Sequence, residues 1–307
     1  NDFTSPYLNI RGWERLSYEP EGDRSAMPVV AMLGGSTTWG EGQRDEYTIA
    51  SWLARFAERD GVPLVIHNYG QRGWTHFQEM ILYEQLLALG PVPDISVFYD
   101  GANELTTQSL LDVAVPSHTM AYAYAERLTG KTVATEFLQQ PATRAPWSAA
   151  WEAYQEHSAI DKLAGLLRGE PAGAAPRQDD GAPGDGFTSG QEENEDGLIS
   201  NYDITDQDGI DAGKVYERGK ALTLEISRTY GVEPLLFWQP MAQDVRPQQL
   251  ARAELTDSTI DISGVLQDHR EVFIDAVHTN EEGARMVAEA IWKHLGPAIH
   301  RWYREHD

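Results

Sequence analysis

Ser36 stands at the end of a short apolar run, in Leu33-Gly34-Gly35-Ser36-Thr37-Thr38. Two glycines let a backbone turn sharply and approach a ligand closely, so a hydroxyl there is exposed beside free amide groups. Far down the chain, Asp275-Ala276-Val277-His278 sets a carboxylate three residues before an imidazole. A nucleophilic serine needs a base, and the base needs an acceptor that fixes its tautomer and stabilises the imidazolium. Two further segments offer hydrogen-bond donors: Gly73 in Asn68-Tyr69-Gly70-Gln71-Arg72-Gly73-Trp74-Thr75, and Asn103 in Tyr99-Asp100-Gly101-Ala102-Asn103-Glu104. A backbone N–H and a side-chain amide aimed at one oxygen stabilise negative charge developing there. Taken singly, each motif has a plainer reading: an ordinary Gly-Gly-Ser loop, a surface histidine beside a helix cap, a turn glycine, a turn asparagine.

Each motif follows a segment patterned as a strand. Val29 to Leu33 is apolar throughout, as in a strand buried on both faces. Pro63–His67, Ile95–Tyr99, Pro234–Trp238 and Glu271–Ile274 supply four more expected strands. Helices are expected between them. Ile49, Trp52, Leu53 and Phe56 fall at i, i+3, i+4 and i+7, and Phe77–Leu89 ends at Gly90-Pro91. Further helices are expected over Ser117–Leu128, Trp147–Leu167, Ile210–Tyr230 and Glu281–Leu295, the last with a Thr279/Glu282 capping box. Strands alternating with helices imply βαβ crossovers and a parallel sheet covered on both faces. Sites in such sheets collect at the carboxyl ends of the strands.

The chain has 307 residues, enough to bury a substantial core, with 24 Lys+Arg against 48 Asp+Glu and a formal charge of −24. That surplus disfavours contact with nucleic-acid phosphates or anionic lipid headgroups. An apolar content of 41% with nine Trp excludes a wholly disordered chain. No run approaches the roughly 20 apolar residues of a spanning helix. The absence of cysteine removes disulfides, thiolate metal sites and cysteine nucleophiles. Residues 1–27 read as an N-terminal arm, and 28–307 as a single catalytic domain with an insertion at about 106–209. Within the insertion, 169–198 holds seven Gly and three Pro among a block of acids, and is expected to be a mobile loop.

Taken together, Ser, Gly, Asn and Asp-x-x-His in this order, each just past an expected parallel strand, resemble the SGNH hydrolases, the GDSL esterase/lipase superfamily. The resemblance covers Val29–Leu105 and Leu235–Leu295. It departs at Gly34-Gly35-Ser36, where the family's name has Gly-Asp-Ser, and at Gly101-Ala102-Asn103-Glu104, where the family has Gly-x-Asn-Asp. The Gly-Gly-Ser-Thr variant is similar to that of many secreted or membrane-tethered bacterial members. The resemblance implies an α/β fold, a flavodoxin-like three-layer α/β/α sandwich on a five-stranded parallel sheet, with a helical insertion. It also implies Ser36 as nucleophile, His278 as base, Asp275 as its partner, and an oxyanion hole from Ser36, Gly73 and Asn103. Gly73 is chosen over Gly70 because it opens a Gly-x-Thr match. No cofactor and no metal ligand set is expected.

The expected activity is that of a serine ester hydrolase removing a short O-acyl group, acetyl foremost, from a carbohydrate. Two alternatives stand beside it: an O-acyltransferase moving the acyl group to a glycan hydroxyl, and an inactive glycan-binding or scaffold protein. Trp39, Trp74, His76 and Trp238 are candidate substrate-binding residues near the motif loops, with core packing as the plainer use of the aromatics. Asp203, Asp206, Asp208 and Asp211 with Gly209 only partly echo a calcium loop, and a solvated acidic turn is expected. A start at Asn1 rather than Met suits a processed or truncated chain, from which a signal peptide or membrane anchor could have been removed. With the Gly-Gly-Ser-Thr variant, it gives an extracytoplasmic expectation. Oligomeric state, acyl chain and acceptor are not legible in the sequence.

Overall fold

The computed structural model describes residues 2–111, 114–121 and 204–306. Its N-terminal segment is no free arm. Phe3–Thr4 (β1), Asn9–Arg11 (β2) and Glu14–Arg15 (β3) form a short antiparallel meander. The chain then alternates as expected: Val29–Gly34 (β4), Ser36–Trp39 (α1), Ile49–Arg59 (α2), Val65–Asn68 (β5), His76–Leu89 (α3), Ile95–Asp100 (β6) and Ala102–Leu111 (α4). After the residues outside the description come Asp206–Tyr230 (α5), Glu233–Trp238 (β7), Arg246–Ala253 (α6), Thr259–Asp261 (β8) and Glu281–His306 (α7).

The sheet has 8 strands in the order β1-β2-β3-β5-β4-β6-β7-β8, not the five expected. Five are parallel, β5-β4-β6-β7-β8. Counted among themselves they run 2-1-3-4-5, the flavodoxin-like order. The added three are the meander, which joins the edge of β5 antiparallel through Arg15 and Asn68. An open edge presents unpaired N–H and C=O groups, and the arm covers this one.

The fifth parallel strand is also not where the pattern placed it. Arg270–Val272 is a 3-10 turn, and β8 lies eleven residues earlier. Val272 and Phe273 are apolar because they plug the core beside α7, not because they pair in the sheet.

Alternation along β4 builds two cores. Val30 and Met32 face α2 and α7, with Leu53, Phe56, Ile291 and Leu295. Ala31 and Leu33 face α3 and α5, with Tyr83, Leu87 and Leu224. That is the three-layer α/β/α sandwich. The closing helix outruns its expected stop, with Pro297 inside it. A proline there removes one backbone bond. The last turns hold because Ala298 and Ile299 are buried and Trp302 Nε1 donates to Asp94 Oδ1 at 2.9 Å. The helix N-cap is Asn280, whose Oδ1 accepts from the N–H groups of Glu282 and Gly283, not the expected Thr279.

Of the expected helix Ser117–Leu128, Ser117–Met120 is loop and turn. Residues 122–128, the expected helix over Trp147–Leu167 and the expected loop over 169–198 lie outside the described residues. Among the described residues, no helix is long and apolar enough to cross a membrane.

Candidate active site

β4 and β6 are neighbours whose connections leave toward opposite sides of the sheet, which makes their carboxyl ends the switch point of this topology. Ser36 opens the four-residue α1 directly after β4, half-buried. As a first helical residue its N–H has no intrahelical acceptor. Gly35 precedes it for a steric reason. A Cβ there would lie 2.3 Å from Asn103 Nδ2 and 3.3 Å from the Trp74 carbonyl, so glycine alone lets those two loops close over the nucleophile position.

His278 and Asp275 arrive from the loop between β8 and α7. That loop is pinched by the Phe273–Thr279 bridge, by Ile274 N–H donating to His278 O at 2.9 Å, and by Ala242 N–H donating to Ala276 O at 3.0 Å. Asp275 Oδ1 accepts the N–H groups of Val277 and His278 at 2.8 and 2.7 Å. Its Oδ2 lies 2.6 Å from His278 Nδ1, and His278 Nε2 lies 2.7 Å from Ser36 Oγ. Burial acts to raise the Asp275 pKa, but the His278 ring, its charge and the two N–H donors outweigh it and hold the carboxyl below its ordinary value. The structure thus joins three residues separated by 242 positions into one chain of hydrogen bonds.

The Trp74 carbonyl and the Asn103 amide meet beside Gly35, the residue before Ser36. Asn103 Nδ2 spends one hydrogen on the Trp74 carbonyl at 2.7 Å, and a primary amide carries a second. Gly73 has φ +73°, the left-handed region that favours glycine. Gly70 is unsuited, since its N–H already donates to Asn68 Oδ1 at 3.0 Å and its Cα packs on the Trp39 backbone.

Three residues that pattern reasoning passes over hold these loops. Glu104 accepts from His76 N–H at 2.8 Å and from Gly101 N–H at 2.7 Å, so one carboxylate ties the Gly73 loop to the Asn103 loop. Thr119 Oγ1 donates to Gly73 O at 3.0 Å, and the His118 ring packs beside the same glycine. Only Glu104 carries a signal in the sequence, as the last residue of the Gly-x-Asn-x motif.

The expected substrate-binding set divides. Trp238 is fully buried, in edge-on contact with Tyr216 and beneath Gly101, and is core. His76 is 2% exposed and bonds Asp100 and Thr223, so it faces inward too. Both end up inside because they sit where strand or helix turns toward the sheet. Trp39 and Trp74 are half-buried at the rim, Trp39 beneath the guanidinium groups of Arg15 and Arg72. Asp206 and Asp208 lie in the first turn of α5, and Asp208 completes a capping box with Thr205. Asp203 is outside the described residues.

A hydroxyl bonded to an imidazole, whose far nitrogen meets a carboxylate, beside convergent N–H donors, is equipped for nucleophilic acyl transfer. The parallel core runs in the 2-1-3-4-5 order, and this constellation lies at its switch point. No protein-family model matches the chain, and no curated protein matches it. Among solved structures it is similar to a psychrotrophic esterase, EstA, from Pseudoalteromonas sp., at 10% identity and TM-score 0.45, over 89% of this chain and 98% of that one. It is similar to an acetyl xylan esterase, AlAXEase, at 13% identity and TM-score 0.42, over 86% and 98%. A third, the SGNH-hydrolase family esterase AlinE4, shares 14% identity at TM-score 0.26, over 50% of this chain and 100% of that one.

Proposed function

We propose that this chain is a serine ester hydrolase that removes a short O-acyl group, acetyl foremost, from a carbohydrate. The observation that carries the reading is the unbroken Asp275–His278–Ser36 chain, with contacts of 2.6 and 2.7 Å. His278 Nε2 takes the Ser36 proton as Oγ attacks the ester carbonyl, and Asp275 holds the resulting imidazolium. The oxyanion is met by the N–H groups of Ser36 and Gly73 and by the free hydrogen of the Asn103 amide. The leaving alcohol takes the proton from His278, and water, activated by the same ring, releases the acid from the acyl-Ser36 ester.

The choice of a short acyl group on a sugar rests on the Gly-Gly-Ser-Thr resemblance and on Trp74 at the rim, since aromatic faces stack on sugar rings. Intact-mass analysis after fluorophosphonate treatment tests the nucleophile: one adduct is expected, and none in Ser36→Ala. A chain that takes no adduct is not a serine hydrolase. Acetate release from acetylated oligosaccharides, compared with their butyryl analogues, then tests the substrate. Product analysis with free saccharide present separates hydrolysis from acyl transfer.

A further inference from the structure

Behind the oxyanion loops lies a second constellation, composed of residues that the sequence disperses. His76 and Glu79 are one turn apart at the start of α3, and Asp100 is the last residue of β6. All three are buried, Glu79 completely. One ligand-type atom from each lies within 4.8 Å of the others, and His76 Nδ1 is 2.9 Å from Asp100 Oδ2. Glu104 stands beside them with both oxygens already engaged by backbone N–H groups.

What distinguishes this cluster from an ordinary buried network is that it is unfinished. Both carboxylate oxygens of Glu79 and Oδ1 of Asp100 have no hydrogen-bond partner. Among the described residues no lysine or arginine pairs with Glu79, Asp100 or Glu104; the one ion-pair contact is His76 with Asp100. Buried carboxylates without donors or counter-charge are strongly unfavourable, so either a shared proton or a cation must lie between them.

We propose that His76, Glu79 and Asp100 form a site for one divalent transition-metal cation, of the Zn²⁺ or Mn²⁺ class. One imidazole with two carboxylates is a mixed N/O ligand set, which suits these ions better than Ca²⁺ or Mg²⁺. Ligand atoms about 2.1 Å from a common ion stand about 3 to 4 Å apart, so binding draws the three groups together only slightly. The second shell is in place. His76 Nε2 lies 2.9 Å from Thr223 Oγ1, so Nε2–H can donate there while the Nδ1 lone pair faces the carboxylates. A cavity of about 150 Å³, lined by His76, Glu104, Thr75 and Gln108 among others, borders the cluster and offers a path inward. The ion would not touch an ester. It would brace Asp100, next to Gly101, against His76, two residues past Trp74, and so hold the two donor loops from behind.

The test uses the whole chain, stripped by chelator and titrated with ZnCl₂ in excess Mg²⁺, followed by metal analysis after gel filtration and by thermal melts. We expect one retained equivalent and a rise in Tm. Glu79→Gln keeps the shape and removes the charge, and His76→Gln removes the nitrogen ligand. Each should lose that equivalent, with affinity down by more than about 100-fold, beyond the usual cost of disturbing an outer-shell partner. Zn²⁺ held equally by wild type and both variants overturns the site and points to surface carboxylates. No stoichiometric Zn²⁺ in wild type, with Glu79→Gln as stable as wild type, also overturns it and assigns the space to a proton shared by Glu79 and Asp100. If the variants do not fold, anomalous scattering from wild-type crystals soaked in ZnCl₂ decides. A peak between His76 and Glu79 supports the site, and its absence there refutes it.

Discussion

At the scale of single residues, the proposed site stands on three hydrogen-bonded side chains, and groups that act as a unit give non-additive losses. Ser36→Ala and His278→Ala are each expected to remove nearly all ester turnover, and the double variant to be little worse than either. Independent, multiplicative losses in kcat/KM would contradict the shared role. Asp275 differs, because it works through His278. Asp275→Asn preserves shape but no longer holds the tautomer, and kcat is expected to fall about 10⁴-fold. The same substitution has a pH signature. Asp275 is held below its ordinary value of 3.8, so its contribution to stability is present above that value and is lost as pH falls through the lower folded value. The Tm gap between wild type and Asp275→Asn should therefore be constant near neutrality and close below about pH 4. A gap that widens on acidification would mean that the carboxyl is not ionised in the fold. Asn103→Ala removes one donor and should lower kcat by about 10²- to 10³-fold with little change in KM.

At the scale of elements, the question is what keeps short loops at fixed distances. Thr119 Oγ1 and Glu104 do this for the donor loops. Thr119→Val removes a single bond to the Gly73 carbonyl, about 1 kcal/mol, so kcat should drop by roughly 3- to 10-fold with KM unchanged. A rise in KM with kcat intact would place Thr119 on the substrate instead. Arg15 does the same for the segment after α1. Its guanidinium, 1% exposed, donates to the carbonyls of Trp39, Gly40 and Gln43 and pairs with Asp45 at 2.8 Å. This helps explain what the sequence reveals and what it hides. β4, β6 and β7 are legible almost to the residue because a strand buried on both faces has to be apolar throughout. The meander and β8 are illegible because two or three residues carry no period, and Arg15 looks like a solvent charge until its distant carbonyls are seen. The Ser, Gly, Asn and Asp-x-x-His order is legible because a parallel sheet delivers strand ends to one edge. Trp238 and His76 mislead because closeness in sequence to a motif says nothing about which face a side chain takes.

At the scale of the whole molecule, the charge of −24 acts on anything that approaches the Ser36 edge of the sheet. Acids outnumber bases two to one, and the field of such a surface extends beyond contact distance before salt screens it. Screening lengths fall from about 10 Å at 0.1 M salt to about 3 Å at 1 M. An ester carrying a carboxylate, such as an acetylated uronic acid, should therefore be disfavoured at low ionic strength against a neutral acetylated sugar of the same size. Its kcat/KM should rise toward that of the neutral ester as salt is added, while kcat for both stays level, because the effect is on approach and not on the acyl step. The measurement is a salt series of kcat/KM for the matched pair of esters. Parallel salt responses for the two would show that the negative surface lies away from the approach to Ser36. An anionic ester favoured at low salt would place a basic group at the mouth, with Arg72 the first to replace: it is exposed, one residue before Gly73, and balanced by Glu41 at 2.5 Å. Replacing Glu41 with Gln frees that guanidinium and should by itself narrow the gap between the two esters, since it removes a negative charge and unmasks a positive one at the same place.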